Sequence, residues 1–144
     1  MSPIAQVKKP AALLAGVPLF AGMTERQLRA VAQSMKVVQF APGKALITEG
    51  DTDARFYLIV EGSAKVSVNG RKKRELGPGD YIGEMAVIDG GVRSATVTAE
   101  TDVVTLSAAR WNFEAVMKNN PSVALAILRE MIRRVRELDK SSTS

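Results

Sequence analysis

The chain contains no cysteine and no histidine. The first absence removes disulfide frameworks, zinc–thiolate sites and cysteine nucleophiles, and suits a reducing compartment. The second excludes more. Imidazole is the commonest ligand of catalytic metals and the usual general base of nucleophilic triads, so no metal site is expected and no enzymatic activity. A metal-dependent enzyme on a cupin-like barrel would draw on several histidines and is set aside on composition. Aromatic residues make up only 5% of the chain, so the core is expected to be aliphatic. No stretch approaches the roughly 20 apolar residues of a membrane-spanning helix. The opening MSPIAQVKKP is too weakly apolar for a signal peptide. The expectation is a soluble cytoplasmic protein, or a soluble piece of something larger.

What is present is globular in character. With 144 residues, 46% hydrophobic and 24% charged, the chain suits one domain with a real core. That domain is expected over 11–140, between a flexible N-terminus at 1–10 and a frayed tail at 141–144. Twenty Lys and Arg against fifteen Asp and Glu give a net charge of +5, which is compatible with an anionic partner but does not choose one.

Thr24 stands at a plausible N-cap with Gln27 three residues on, a capping-box spacing, and Leu28, Val31, Ala32 and Met35 follow at helical intervals. A helix is expected at about 25–35. After Val38 the texture changes, and turn signals at Pro42-Gly43, Gly50-Asp51, Glu61-Gly62, Asn69-Gly70, Gly77 to Asp80, Gly90-Gly91 and Thr101-Asp102 separate short strands, which indicates a sandwich or barrel. FYLIV suits a strand buried on both faces, whereas Ala64, Val66 and Val68 alternate with polar residues like a half-exposed one. Asn69-Gly70 is the strongest hairpin signal. The RKKRE run behind it lacks aromatics for stacking on bases and is preferentially a solvated hairpin tip, with a phosphate contact as the alternative.

Past Leu106 the pattern returns to helix. ARWNFEAVMK predicts a short one, and Pro121 suits the first residue of a longer one running to about Asp139. There Ala124, Leu128, Met131, Val135 and Leu138 form one apolar seam. Packing of that seam on the domain's own barrel is the preferred reading, and a homodimer contact through the helix is the alternative.

The segment GEMAVIDGGVRSATV, residues 83–97, concentrates unusual chemistry. Arg93 is its only basic residue, and a guanidinium neutralises a phosphate while donating to it through a planar fork. Gly83, opening a predicted helical turn, would leave backbone N–H groups uncovered as an anion site, and Ser94 can add a hydroxyl. Glu84 would repel that phosphate, so within one pocket its natural partner is a ribose 2′-hydroxyl. The alternative is a surface ion pair of Glu84 with Arg93 around a plain Gly90-Gly91 turn.

GEMAVIDGGVRSATVTA resembles the phosphate-binding cassette of the cyclic nucleotide-binding domain family. VPLFAGMTERQLRAVAQSM is similar to the family's N-terminal helical segment, FAPGKALITEGD and FYLIVEGSAKV to its first barrel strands, and LGPGDYIGEM to the approach to the cassette. The likeness spans about 12–138, and the cassette looks most like those of bacterial cyclic nucleotide-gated potassium channels. It implies a mainly β fold, a jelly-roll-like β-roll with an N-terminal helical segment and C-terminal lid helices. It also implies that Glu84 holds the ribose 2′-hydroxyl, and that Arg93, Ser94 and the backbone near Gly83 and Met85 hold the cyclic phosphate. The last helix would cover the base. There Arg134 flanks the seam and is the basic lid candidate, with a solvated helix charge as the alternative.

The function so implied is a cyclic nucleotide sensor that needs no cofactor and transmits binding through its C-terminal helix. Threonine after the cassette arginine tends to accompany cGMP preference in related domains, so Ser94 leans toward cAMP. The alternatives are a structural or interaction domain of the same fold, or part of a channel or DNA-binding regulator. DNA binding by this chain alone is not expected, since no helix-turn-helix follows the long helix.

Overall fold

The structure is a computed structural model describing residues 10–52, 55–83 and 93–143. It opens with α1 (Pro10–Leu14), a 3₁₀ turn (Pro18–Phe20) and α2 (Glu25–Gln33). The capping box forms as the spacing predicts: the Thr24 side chain accepts from the Gln27 N–H, and the Gln27 side chain accepts from the Thr24 N–H. Eight strands follow among the described residues: β1 (Lys36–Phe40), β2 (Ala45–Ile47), β3 (Arg55–Glu61), β4 (Ala64–Val68), β5 (Arg71–Leu76), β6 (Tyr81–Ile82), β7 (Thr96–Ala99) and β8 (Val103–Ala109). The chain then enters α3 (Arg110–Asn119) and α4 (Pro121–Thr143).

All strand pairs are antiparallel, in two four-stranded sheets ordered β1-β8-β3-β6 and β2-β7-β4-β5. The interior between them is filled by Leu46, Ile59, Val66, Leu76, Val97 and Val103 with their neighbours. This is the expected jelly-roll-like barrel. Its first sheet carries a second, helical layer on its outer face, where Phe56, Leu58 and Leu106 meet Leu14, Phe20, Val31, Phe113, Val123 and Ile127. β3 supplies both cores because successive side chains of a strand point to opposite faces: Phe56 and Leu58 go to the helices, Tyr57 and Ile59 to the barrel. The FYLIV run is thus buried on both faces, as its composition predicts.

The β4–β5 hairpin turns on Asn69 and Gly70, both at positive φ, 53° and 78°. That is the type I′ turn an Asn-Gly pair favours, because its twist matches that of the flanking strands. β5 is an edge strand with Arg71 to Glu75 exposed.

Two expectations for α4 are corrected. The helix runs to Thr143 and does not stop near Asp139, since neither glycine nor proline follows to break it. The apolar seam does not pack on the barrel: Leu128, Val135 and Leu138 are 55, 60 and 71% exposed. The inward face is instead Val123, Ile127, Glu130 and the partly buried Met131, and the helix lies against the 3₁₀ turn and α3. Among the described residues no helix is long and apolar enough to cross a membrane.

Candidate functional site

Residue 93 is fixed through its backbone before its side chain is considered. Its N–H donates to the Asp51 carbonyl at 2.9 Å and its own carbonyl accepts from the Gly50 N–H at 2.9 Å, clasping it to the turn between β2 and β3. The Gly50-Asp51 turn signal therefore has a second use, as an anchor. One step on, the Thr96 hydroxyl accepts from the Glu49 N–H at 2.9 Å and extends the clasp into β7.

From this anchor the Arg93 side chain runs inward and is 5% exposed. Its Nη2 donates to the backbone carbonyl of Arg55, the first residue of β3. Gly83 closes the other side. It follows β6 with φ +79°, a conformation that favours glycine, and a Cβ there would collide with both the Arg55 carbonyl and the Arg93 guanidinium. Gly83, Arg55 and Arg93 thus form one compact corner where three segments meet. The corner thus holds a planar donor fork, the group whose shape and charge suit a phosphate.

Residues 37–120, more than half the chain, match the cyclic nucleotide-binding domain family. The chain belongs to this family. A cGMP-dependent protein kinase of Toxoplasma gondii is 40% identical over 106 residues, covering 74% of this chain and 11% of the kinase. A cyclic nucleotide-gated potassium channel of Mesorhizobium japonicum is 37% identical over 112 residues, 78% of this chain and 31% of the channel. The solved N-terminal domain of a transcriptional regulator from Streptomyces coelicolor A3(2) superposes with a TM-score of 0.83 at 32% identity, covering 90% of this chain and 94% of that domain. The chain spans only a minor part of the kinase and the channel.

Of the residues singled out from the sequence, the structure brings Gly83 and Arg93 together. Ser94, next along the chain, is exposed. Glu84, Met85, the GEMAVI turn and Gly90-Gly91 lie outside the described residues, as do residues 1–9. Arg134 sits on α4 beside Glu130, with Nε 3.5 Å from Oε1. Glu130 itself is 7% exposed and accepts from Arg133 at 2.7 Å. Hydrogen bonds from Arg133, and then the charges of both arginines, hold this carboxyl below its usual range against the opposing effect of burial.

Two participants escaped the sequence reading. Arg55 could have been noticed as a charged residue opening a strand buried on both faces, where a long polar side chain needs a specific destination. Glu130 lies on a helix with apolar residues around most of its circumference, and no local signal marks it as inward-facing.

Proposed function

We propose that the chain is a cyclic nucleotide-binding regulatory module, with cAMP preferred over cGMP. The observation that carries this reading is the buried, backbone-anchored Arg93 fork beside Gly83, at the position where the family's cassette resemblance puts the phosphate-binding arginine. In this reading Arg93, Ser94 and the backbone at Gly83 and Met85 take the cyclic phosphate, and Glu84 takes the ribose 2′-hydroxyl. Arg134 serves the base side once α4 exchanges its contact with Glu130. Ser94 supports adenine, although the named relatives include a cGMP-dependent kinase. The lack of cysteine supports placing the module in the cytoplasm.

Calorimetric titration with both nucleotides tests the reading. Saturable binding of cAMP, tighter than cGMP, with the nucleotide recovered intact, is expected. Tighter cGMP binding would overturn only the preference, absence of binding to both would overturn the function, and release of a 5′-monophosphate in proportion to pure protein would make the chain an enzyme.

The output surface is α4, and its occupant is a second copy of the chain. Leu125, Leu128, Ile132 and Val135 are exposed at three- and four-residue steps, the a and d spacing of a coiled-coil seam. Arg129 and Arg136 then fall on flanking e positions, where an antiparallel pair would set them against their own copies. Charge therefore favours a parallel dimer. Sedimentation should show a dimer that Leu128→Lys with Val135→Lys converts to monomer; an unchanged monomer throughout would remove the seam from the mechanism.

A further inference from the structure

We propose that Arg55 is a positioning residue for Arg93, and that Trp111 of α3 holds Arg55 in place. The inference rests on Arg93 being the phosphate ligand and adds how its aim is set.

Arg55 is engaged at both ends. Its carbonyl receives the Arg93 Nη2–H, and its guanidinium carbon lies 5.9 Å from the centroid of the Trp111 ring, within cation–π range. In the ladder Arg55 faces Ala109, the residue that caps α3, so the start of β3 and the start of α3 are already neighbours through the backbone. Trp111 is the chain's single tryptophan and is 65% exposed. A ring so exposed adds little to the core, and its packing against Arg55 gives it a specific partner. The two contacts form a chain from the buried fork to the first turn of α3: Arg93 to the Arg55 peptide, then the Arg55 side chain to Trp111. The Arg55 carbonyl is a fixed point for the fork, so the direction of that peptide bears on where the fork points. A small displacement of the β3 terminus would re-aim the Arg93 donors away from the space beside Gly83. Conversely, an anion that draws the Arg93 guanidinium toward itself would loosen its hold on the Arg55 carbonyl, and α3 would register the change at Trp111.

Two measurements separate this inference from the function on which it rests. In the ligand-free protein, the Trp111 indole N–H resonance and fluorescence should shift on Arg93→Ala. In titrations with cAMP, Trp111→Ala and Arg55→Ala should each weaken affinity by about two- to fivefold, and Trp111→Phe, which keeps an aromatic face for the guanidinium, should restore most of the loss. A purely structural tryptophan would show no such rescue pattern at equal melting temperature. An indole unmoved by Arg93→Ala, or Trp111→Ala binding as wild type, overturns the linkage. If wild type binds no cyclic nucleotide, the proposed function fails, and the indole shift alone decides whether Arg55 couples the two sites.

Discussion

β5 and Arg93 are two ways of carrying positive charge. On β5, Arg71, Lys72, Lys73 and Arg74 stand side by side at a sheet edge, all exposed, with Lys72 paired to Glu75 and near Glu100. Arg93 is nearly buried, with its backbone bonded in both directions and its Nη2 donating to a carbonyl. Hydrated cations on an edge strand repel intruding strands and help solubility, and remain largely in contact with water. A pre-oriented guanidinium in a low-dielectric corner is better suited to recognising an anion than hydrated cations at an exposed edge. Charge density along the sequence therefore points to β5, whereas burial points to Arg93.

The strongest way to break this contrast is Arg93→Ala. Losing a charge-assisted fork to a desolvated phosphate should cost about 2–5 kcal/mol of binding, some 30- to several-thousand-fold in affinity, with the fold retained by circular dichroism. An affinity within about threefold of wild type would dissolve the assignment.

Glu84→Gln should have the next largest effect, and most of its loss should vanish when the ligand is a 2′-deoxy analogue. On the proposed reading both changes remove one shared hydrogen bond, so their costs should not add. Additive losses in the double cycle would place Glu84 away from the ribose.

Glu130 sharpens the comparison by supplying a buried charge of the opposite sign whose purpose is structural. Its carboxyl is held low in the folded state chiefly by hydrogen bonds from Arg133, so it contributes stability that is present above the unfolded carboxyl value of about 4.3 and is lost as pH falls through the lower folded value. Wild type should exceed Glu130→Gln by about 1–3 kcal/mol at pH 7, and the gap should close on acidification in thermal melts. A gap independent of pH would assign the difference to packing.

The smallest effect is expected from Arg71→Gln, Lys73→Gln and Arg74→Gln combined. Cyclic nucleotide affinity should change by no more than about twofold at physiological salt, because exposed, hydrated charges are screened by salt and water. A loss comparable to that of Arg93→Ala would move the anion site to the hairpin.

How much of this was legible depended on whether the signal was local. The Thr24–Gln27 box and the Asn69-Gly70 turn are each decided within four residues, and both formed as the residues predict. FYLIV announced burial on both faces because a run of bulky apolar residues leaves no strand face for water. The cassette arginine was legible as chemistry, but its geometry needed Arg55 and Gly50-Asp51, which lie some forty residues upstream and meet it only through the fold. α4 failed for a different reason. Val123, Leu125, Ile127, Leu128, Met131, Ile132, Val135 and Leu138 spread around the helix, so periodicity offered several arcs, and contacts with the 3₁₀ turn and α3 chose among them.

β3 is a party wall. Its alternate side chains furnish two rooms, with Phe56 and Leu58 lining the helical one and Tyr57 and Ile59 the barrel. Neither room can be emptied without stripping one side of the same strand. The helical layer is therefore a poor candidate for an independently opening unit, and amides on both sides of β3 should exchange with solvent at a common free energy, near that of global unfolding. A shift in the first half of α4, whose Val123 and Ile127 belong to the helical core that β3 walls off, would then be met by a stiff barrel that moves as a body.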